Sequence, residues 1–314
     1  MQTIFASDPD GRFSQIDEIR DGAWVSLVDP TAVEIADLAA QCGIDPDDLR
    51  AALDPEERSR ITPEDGYVLV LVDVPTTEMR AGRKWYVTIP LGIVIASKVI
   101  ITVCSERVSV IAEFEKGRMR DFRTFMKTRF TLQLLMHNAG TYLSALRVID
   151  KMIDRQEASL RRSTRNEELV EMMELEKSLV YINTSLVSNQ RVLERLVRTP
   201  ALKKYAEDED LLEDTIIENE QAMEMASLYS GILSGMMDAY ASVIANNQNV
   251  IMKTLAVVTI VLSIPTMIFS AYGMNVENPL IPITQQPWTF AAVVAIAFAL
   301  AGIAILVMAR KKWF

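Results

Sequence analysis

Two stretches in the last fifth of the chain carry no charged side chain: residues 254–272, 19 in number, and residues 288–309, 22 in number. As helices they reach roughly 28 and 33 Å at 1.5 Å per residue, which matches the hydrocarbon core of a bilayer. A buried helix of a soluble protein rarely runs so far without charge, and two in succession predict a membrane hairpin. Lys253 precedes the first stretch and Arg310, Lys311 and Lys312 follow the second, while residues 273–287 hold no Lys or Arg. The positive-inside rule then puts both the N- and C-terminal ends in the cytoplasm and the short loop outside. Trp288, Trp313 and Phe314 suit the two interfaces. The expected location is the inner or plasma membrane of a cell, with lipid as a partner.

Of 32 Lys and Arg and 42 Asp and Glu in the 314 residues, four cations and one anion fall after residue 250. The first 250 residues therefore carry 28 against 41, a net charge of −13. A body this acidic argues against nucleic acid as a partner, because phosphate binding needs clustered Lys and Arg. Cys42 and Cys104 are the only cysteines and His137 the only histidine, so a disulfide framework is excluded and a zinc site nearly so. The first residues have no basic start followed by an apolar run, so no secretory signal is expected. With no Gly-rich phosphate loop and no nucleophile–His–acid set, the chain does not read as an enzyme, and no organic cofactor is expected.

The body divides by texture. Trp24-Val25-Ser26-Leu27-Val28, residues 67–72, residues 98–103 and a stretch from about Trp85 to Ile95 are rich in β-branched residues and bounded by turn formers, as strands are. Pro30-Thr31-Ala32-Val33-Glu34 and Asp45-Pro46-Asp47-Asp48-Leu49 open helices. From Val110 to Asn249 the one proline is Pro200, and apolar residues recur at helical spacing, as in Leu132, Leu135, Tyr142, Leu146, Ile149 and Ile153. Long helices are expected over about 119–160 and 165–198, and a third from about Asp210 into the first span. The predicted fold is an α+β cytoplasmic domain (1–110), long antiparallel helices (111–209), a stalk helix running into the first span (210–272), an outer loop (273–287), and a second span with a basic tail (288–314). A helix as long as the third needs partners along its length, and copies of itself are the economical ones.

Wound at 100° per residue with Thr259 as zero, Ser263 falls at about +40°, Thr266 at −20°, Ser270 at +20°, Met252 at +20° and Leu255 at −40°, with Asn249 at the edge near +80°. Val257, Val258, Ile260, Val261, Ile264 and Ile268 lie on the other faces. A single Ser or Thr in a membrane helix bonds its own i−4 carbonyl or packs small against a neighbour. Four aligned hydroxyls favour a face that lines water or a symmetry axis. One helix cannot enclose a pore, so that reading requires several subunits. The second span has one hydroxyl, Thr289, and reads as the outer, lipid-facing helix.

Directly after the first span come Tyr272-Gly273-Met274-Asn275, then Val276 and Glu277. At the mouth of a stripe-lined helix the Asn275 carboxamide offers a neutral oxygen and Glu277 a charge that concentrates cations. The bland alternative is a Gly cap followed by a turn asparagine.

These features together resemble the CorA family of divalent-cation channels: Tyr-Gly-Met-Asn between two C-terminal spans, a basic end and a large acidic domain. Gly235-Met236-Met237-Asp238-Ala239-Tyr240 and Asn249-Val250-Ile251-Met252-Lys253 follow the family's pattern, and Trp24-Val25-Ser26-Leu27 and Gly43-Ile44-Asp45-Pro46 do so more loosely. The resemblance implies a funnel-shaped homopentamer that moves hydrated Mg²⁺, and also Co²⁺ or Ni²⁺, into the cytoplasm. Gly273, Met274 and Asn275 would then bind the incoming ion. Asn249, Met252 and Leu255 match the inner end of the family's pore helix, and Thr266 its mid-pore threonine. Ser263 stands where a well-known branch carries Met, and Pro265 is shifted by one.

The resemblance also implies that intracellular Mg²⁺ bridges acids between subunits and holds the channel shut. Asp214 matches one such acid, and Asp73 and Glu78 are candidates for its partner. The acids crowding the start of the stalk helix (Glu207, Asp208, Glu209, Asp210, Glu213, Glu218, Glu220) otherwise read as a solvated face and a favourable helix N-terminus. One rival reading is a ZntB-like transporter of Zn²⁺ or another transition metal. The other is a membrane-anchored coiled-coil protein without transport.

Overall fold

A computed structural model describes residues 1–8, 10, 12–80, 82–119, 121–160, 166–198, 206–274 and 288–310. They form two compact units, Met1–Met237 and Asp238–Phe314.

The first unit is built on a seven-stranded sheet: β1 (Gln2–Ser7), β2 (Phe13–Ile16), β3 (Ala23–Val28), β4 (Arg60–Glu64), β5 (Tyr67–Arg80), β6 (Arg83–Ala96) and β7 (Val99–Cys104). The spatial order is β2-β1-β3-β7-β6-β5-β4, antiparallel throughout except for the parallel β3–β7 pair. Two helices, α1 (Ala32–Cys42) and α2 (Pro46–Ala51), follow β3. A reciprocal Thr31–Glu34 capping box starts α1, Gly43 in the left-handed region ends it, and Pro46 opens α2. After β7 come α3 (Ser109–Glu115), α4 (Lys127–Leu160), α5 (Asn166–Val197) and α6 (Ala206–Tyr272), and α7 spans Thr289–Arg310.

The strand period of two sorts β5 between two cores. Val68, Val70, Val72 and Val74 join a cluster with Phe114, Phe130, Leu135, Val192, Leu196 and Leu212, on the side of α3 to α6. Tyr67, Leu69 and Leu71 join another with Leu38, Leu49 and Ala52, on the side of α1 and α2. Burial on both faces explains why the middle strands read as unbroken apolar runs. At Gly92 on β6 a Cβ would lie 2.8 Å or less from its neighbour, at 2.7 Å from the Ala52 methyl, so α2 sits on the sheet because that residue has no side chain.

Three strands escape the sequence reading. β1, β2 and β4 are short, and two of them carry polar residues at half or more of their positions, as in Phe-Ser-Gln-Ile and Arg-Ile-Thr-Pro-Glu. The helix expected over about 119–160 starts instead at Lys127. Gly117 and Asp121 have φ of 64° and 53°, which breaks any helix there. The freed segment inserts Phe122 among Phe13, Trp24, Phe114 and Phe130. Ser7 N–H donates to Thr124 Oγ1 at 2.9 Å and Thr124 N–H to Ser7 Oγ at 3.2 Å, which ties it to β1.

The β4 strand stops at Arg60, which pairs with Leu71, so nothing on that strand continues opposite Asp73. On the other side Asp73 faces Pro90, which has no N–H to give. Asn189 of α5 fills the gap as a peptide group would. Its Oδ1 accepts from Asp73 N–H at 2.9 Å, and its Nδ2 donates to Asp73 O at 2.8 Å, where Asn138 Nδ2 of α4 also donates at 2.8 Å. Asn189→Ala should leave a buried backbone N–H unpaired and cost about 1–3 kcal/mol. Thermal unfolding of the purified chain reads this as a fall of a few degrees, and an unchanged midpoint would refute the assignment.

His137 on α4 is half-buried with its ring edge-on to Phe114, and burial holds its pKa below 6.5 against the smaller opposing pull of Glu113. The folded chain therefore binds fewer protons than the unfolded chain, and stability is lost as pH falls below about 6.5 toward the folded pKa. Replacing this sole histidine by Phe should flatten that part of the stability–pH curve.

Candidate functional site

The second unit consists of α6 from Asp238 onward and α7, the two described helices long and apolar enough to cross a membrane. Their burial sorts by face. On the charge-free part of α6, residues 254–272, the covered residues are Val257, Val261, Ile264, Pro265 and Ile268, spaced to share one side of a helix. On α7 the fully buried residues are Ala297 and Ala301, one turn apart, flanked along the same line by the partly covered Ala304 and Met308. A covered apolar stripe on one helix and a covered small-residue stripe on the other are what a packed helix pair produces.

The side of α6 turned away from that stripe carries Asn249, Met252, Leu255, Thr259, Ser263, Thr266 and Ser270, all exposed in the single chain, with Met252 at 63% and Leu255 at 58%. Thr254, Thr259 and Thr266 donate to Val250 O, Leu255 O and Leu262 O at 2.9, 2.8 and 2.8 Å, and Ser263 donates to Ile260 O at 2.9 Å. The hydroxyl protons are thus spent on the helix's own carbonyls. What each hydroxyl still offers outward is an acceptor oxygen.

At the C-terminal end of α6, Gly273 N–H donates to Phe269 O at 3.0 Å and Ser270 O at 3.2 Å, closing its last turn. Met274 is 63% exposed. Asn275 and Glu277 lie outside the described residues.

The acidic residues separate into distinct environments. Asp214 on α6 is exposed. Glu78, at the far end of β5, is exposed and bonded to Arg80 at 2.6 Å, which holds its carboxyl below the usual range. Arg80 also reaches Glu174 of α5 at 3.0 Å. Asp73 is half-buried, and burial raises its pKa while Ser185 and Ser59 pull it back. At the start of α6, Arg129 of α4 bonds Glu207 and, at 3.0 Å, the buried Asp208. Gln190 of α5 donates to Glu220 at 3.0 Å. These acids fasten α6 to its neighbours, a use that charge alone does not reveal. The polar box around Asp73, built from Asn138, Tyr142, Ser185 and Asn189, left no pattern in the sequence beyond polar residues four apart on two long helices.

Comparison with known proteins bears on the whole chain. The profile described as "CorA-like Mg2+ transporter protein" matches residues 20–311. The "Cobalt/magnesium transport protein CorA" of Methanocaldococcus jannaschii is 27% identical over 299 residues, covering 92% of this chain and 90% of its own. The solved complete structure of the CorA magnesium transporter from that organism superposes with a TM-score of 0.85 at 24% identity, over 100% of this chain and 99% of the other. The ZntB cytoplasmic domain of Vibrio parahaemolyticus shares the fold at greater distance, with a TM-score of 0.60 at 12% identity over 78% of this chain and 97% of its own. A family match across nearly the full length settles the membership: this chain belongs to the CorA-like Mg²⁺ transporter family.

Proposed function

We propose that the protein is a divalent-cation channel in which several identical chains, five by the family resemblance, surround a central conduit in a funnel-shaped assembly and admit hydrated Mg²⁺ to the cytoplasm. The observation that carries this reading is the exposed side of α6. Asn249, Met252, Leu255, Thr259, Ser263, Thr266 and Ser270 share it, and the covered apolar stripe lies opposite. Mg²⁺ gives up its water reluctantly, and the waters it holds are hydrogen-bond donors. A wall of hydroxyl oxygens whose protons are already engaged presents acceptors to that shell without stripping it. Asn275 would supply a ring of amide oxygens at the outer mouth, where Gly273 ends the helix and Met274 leads into the loop, and Glu277 a ring of charge that draws cations in. Met252 and Leu255 would form a dry constriction at the inner end that conducts once wetted.

Regulation follows from the same assembly. Asp214 is exposed and available to face another subunit, and of its two candidate partners Glu78 is the exposed one, whereas Asp73 is half-buried. Mg²⁺ bridging such carboxylates when cytosolic Mg²⁺ is high would hold the gate closed, and its loss would release it. Co²⁺ and Ni²⁺ are expected as further cargo, in keeping with the cobalt/magnesium name of the archaeal relative.

Liposomes containing the protein should take up Mg²⁺ faster than empty ones, and Asn275→Ala should slow entry about tenfold or more, the effect of losing roughly 1.4 kcal/mol of binding at the mouth. Faster uptake of Zn²⁺ than of Mg²⁺ would favour the ZntB-like reading, and no flux of any divalent ion would leave a membrane-anchored protein without transport. In a second test, Cys42 and Cys104 are replaced and single cysteines are introduced along α6. A charged thiol reagent should modify positions 259, 263, 266 and 270 and spare 257, 261, 264 and 268. The opposite pattern would turn the hydroxyl side to lipid.

A further inference from the structure

Where α4, α5 and β5 meet, the first unit encloses a polar box whose bonds are incomplete. Asn138 is 3% exposed, Tyr142 0%, Ser185 4% and Asn189 3%. Because Asp73 O can only accept, Asn138 must turn Nδ2 toward it, which leaves Asn138 Oδ1 buried with no partner. The Tyr142 hydroxyl faces Ser185, Asn189 and Asp73, yet makes no hydrogen bond of normal geometry. The half-buried Asp73 carboxyl lies near the Tyr142 hydroxyl and beside the Ser185 and Ser59 side chains. Ser185 Oγ donates to Thr88 Oγ1 at 2.9 Å and Ser59 Oγ to Asn189 Oδ1 at 3.2 Å, so those two are held in place. Among the described residues no Lys or Arg acts on the Asp73 carboxyl.

A half-buried carboxylate without a cationic neighbour, beside an orphaned amide oxygen and an unsatisfied phenol oxygen, is short of positive charge. Hard oxygen donors with no thiolate or imidazole among them suit an alkali or alkaline-earth ion rather than a transition metal. A single carboxylate neutralises one positive charge. A divalent ion would carry an uncompensated charge into a half-enclosed site, and desolvation opposes that.

We propose that this box is a structural site for a monovalent alkali cation, Na⁺ or K⁺, bound by Asp73 with neutral oxygens from Asn138 and Tyr142. The ion would pin α4 and α5 to the edge of the sheet where β4 has ended. The site lies within one chain and does not depend on the transport reading.

The test uses the full-length purified protein in detergent with EDTA present. Its melting temperature is followed as NaCl, KCl or N-methylglucamine chloride is added at constant ionic strength. A ligand that binds only the folded chain raises the midpoint in proportion to ln(1 + [L]/Kd). The expected result is a saturable rise with Na⁺ or K⁺ and none with the organic cation, the ion that half-saturates at lower concentration being the occupant. Asp73→Asn should abolish the response. Tyr142→Phe, which keeps the charge and the shape, should move half-saturation about tenfold higher, the loss of roughly 1.4 kcal/mol of binding. Should Asp73→Asn fail to fold, Tyr142→Phe decides alone. Equal rises in all three salts, no rise in any, or a response unchanged in the variants would overturn the site and leave a box that holds water. A rise with MgCl₂ in place of EDTA that exceeds the alkali effect and vanishes in Asp73→Asn would overturn the monovalent assignment.

Discussion

Apolar side chains that nothing in their own chain covers dominate the second unit. Ile251, Leu262, Met267, Phe290, Phe298 and Leu306 are each more than half exposed, and they sit on helices whose backbone groups are satisfied internally. Water is a poor solvent for such a surface, and a bilayer or another protein surface is a good one. That solvation constraint is what the two apolar helices of this CorA-like chain have to satisfy. The side of α6 bearing Thr259, Ser263 and Thr266 is the polar exception on this apolar surface.

The first unit solves the reverse problem, bringing polar groups into a dry place. Its sheet is covered on both faces, so each backbone group at the end of a strand must find a partner away from water. At Asp73 the partners are the carboxamides of Asn138 and Asn189, which bind the strand from two different helices. Asn219 of α6 extends the same device by donating to Leu186 O at 3.1 Å and Gln190 Oε1 at 2.9 Å. Arg129 joins α4 to the first turn of α6 through Asp208. The long helices are registered against the sheet by these buried polar bonds as well as by Leu and Val packing, and an amide can bind in only one register.

What could be read from the chain as a string was one-dimensional. Charge-free length marks the spans, and a period of 3.6 sets Ser263 and Thr266 beside Thr259. A run of β-branched residues marks β5 and β7. The readings that failed needed a neighbour. β2 and β4 are short and polar, and they are strands because β1 and β5 offer them an edge. Residues 119–126 have helical composition but leave the helix because Phe122 gains more in an aromatic cluster with Trp24 and Phe130. In the candidate site the alignment of the hydroxyls on one side of α6 was legible, and so was the end of that helix at Tyr272.

By itself the sequence determined that two segments must leave water, that a hydroxyl-bearing line runs along the first of them, and that the body is acidic. Each of these is a sum or a periodicity along one chain. Only the tertiary structure decided the surroundings of each acid. Asp214 stands at the surface, Glu78 is paired with Arg80, Glu207 and Asp208 are bound to Arg129, and Asp73 is half-buried on β5 against two helices. A carboxylate's role depends on the dielectric and the partners around it, and the fold supplies many of those from distant parts of the chain, as with Arg129 for Asp208 and Asn189 beside Asp73.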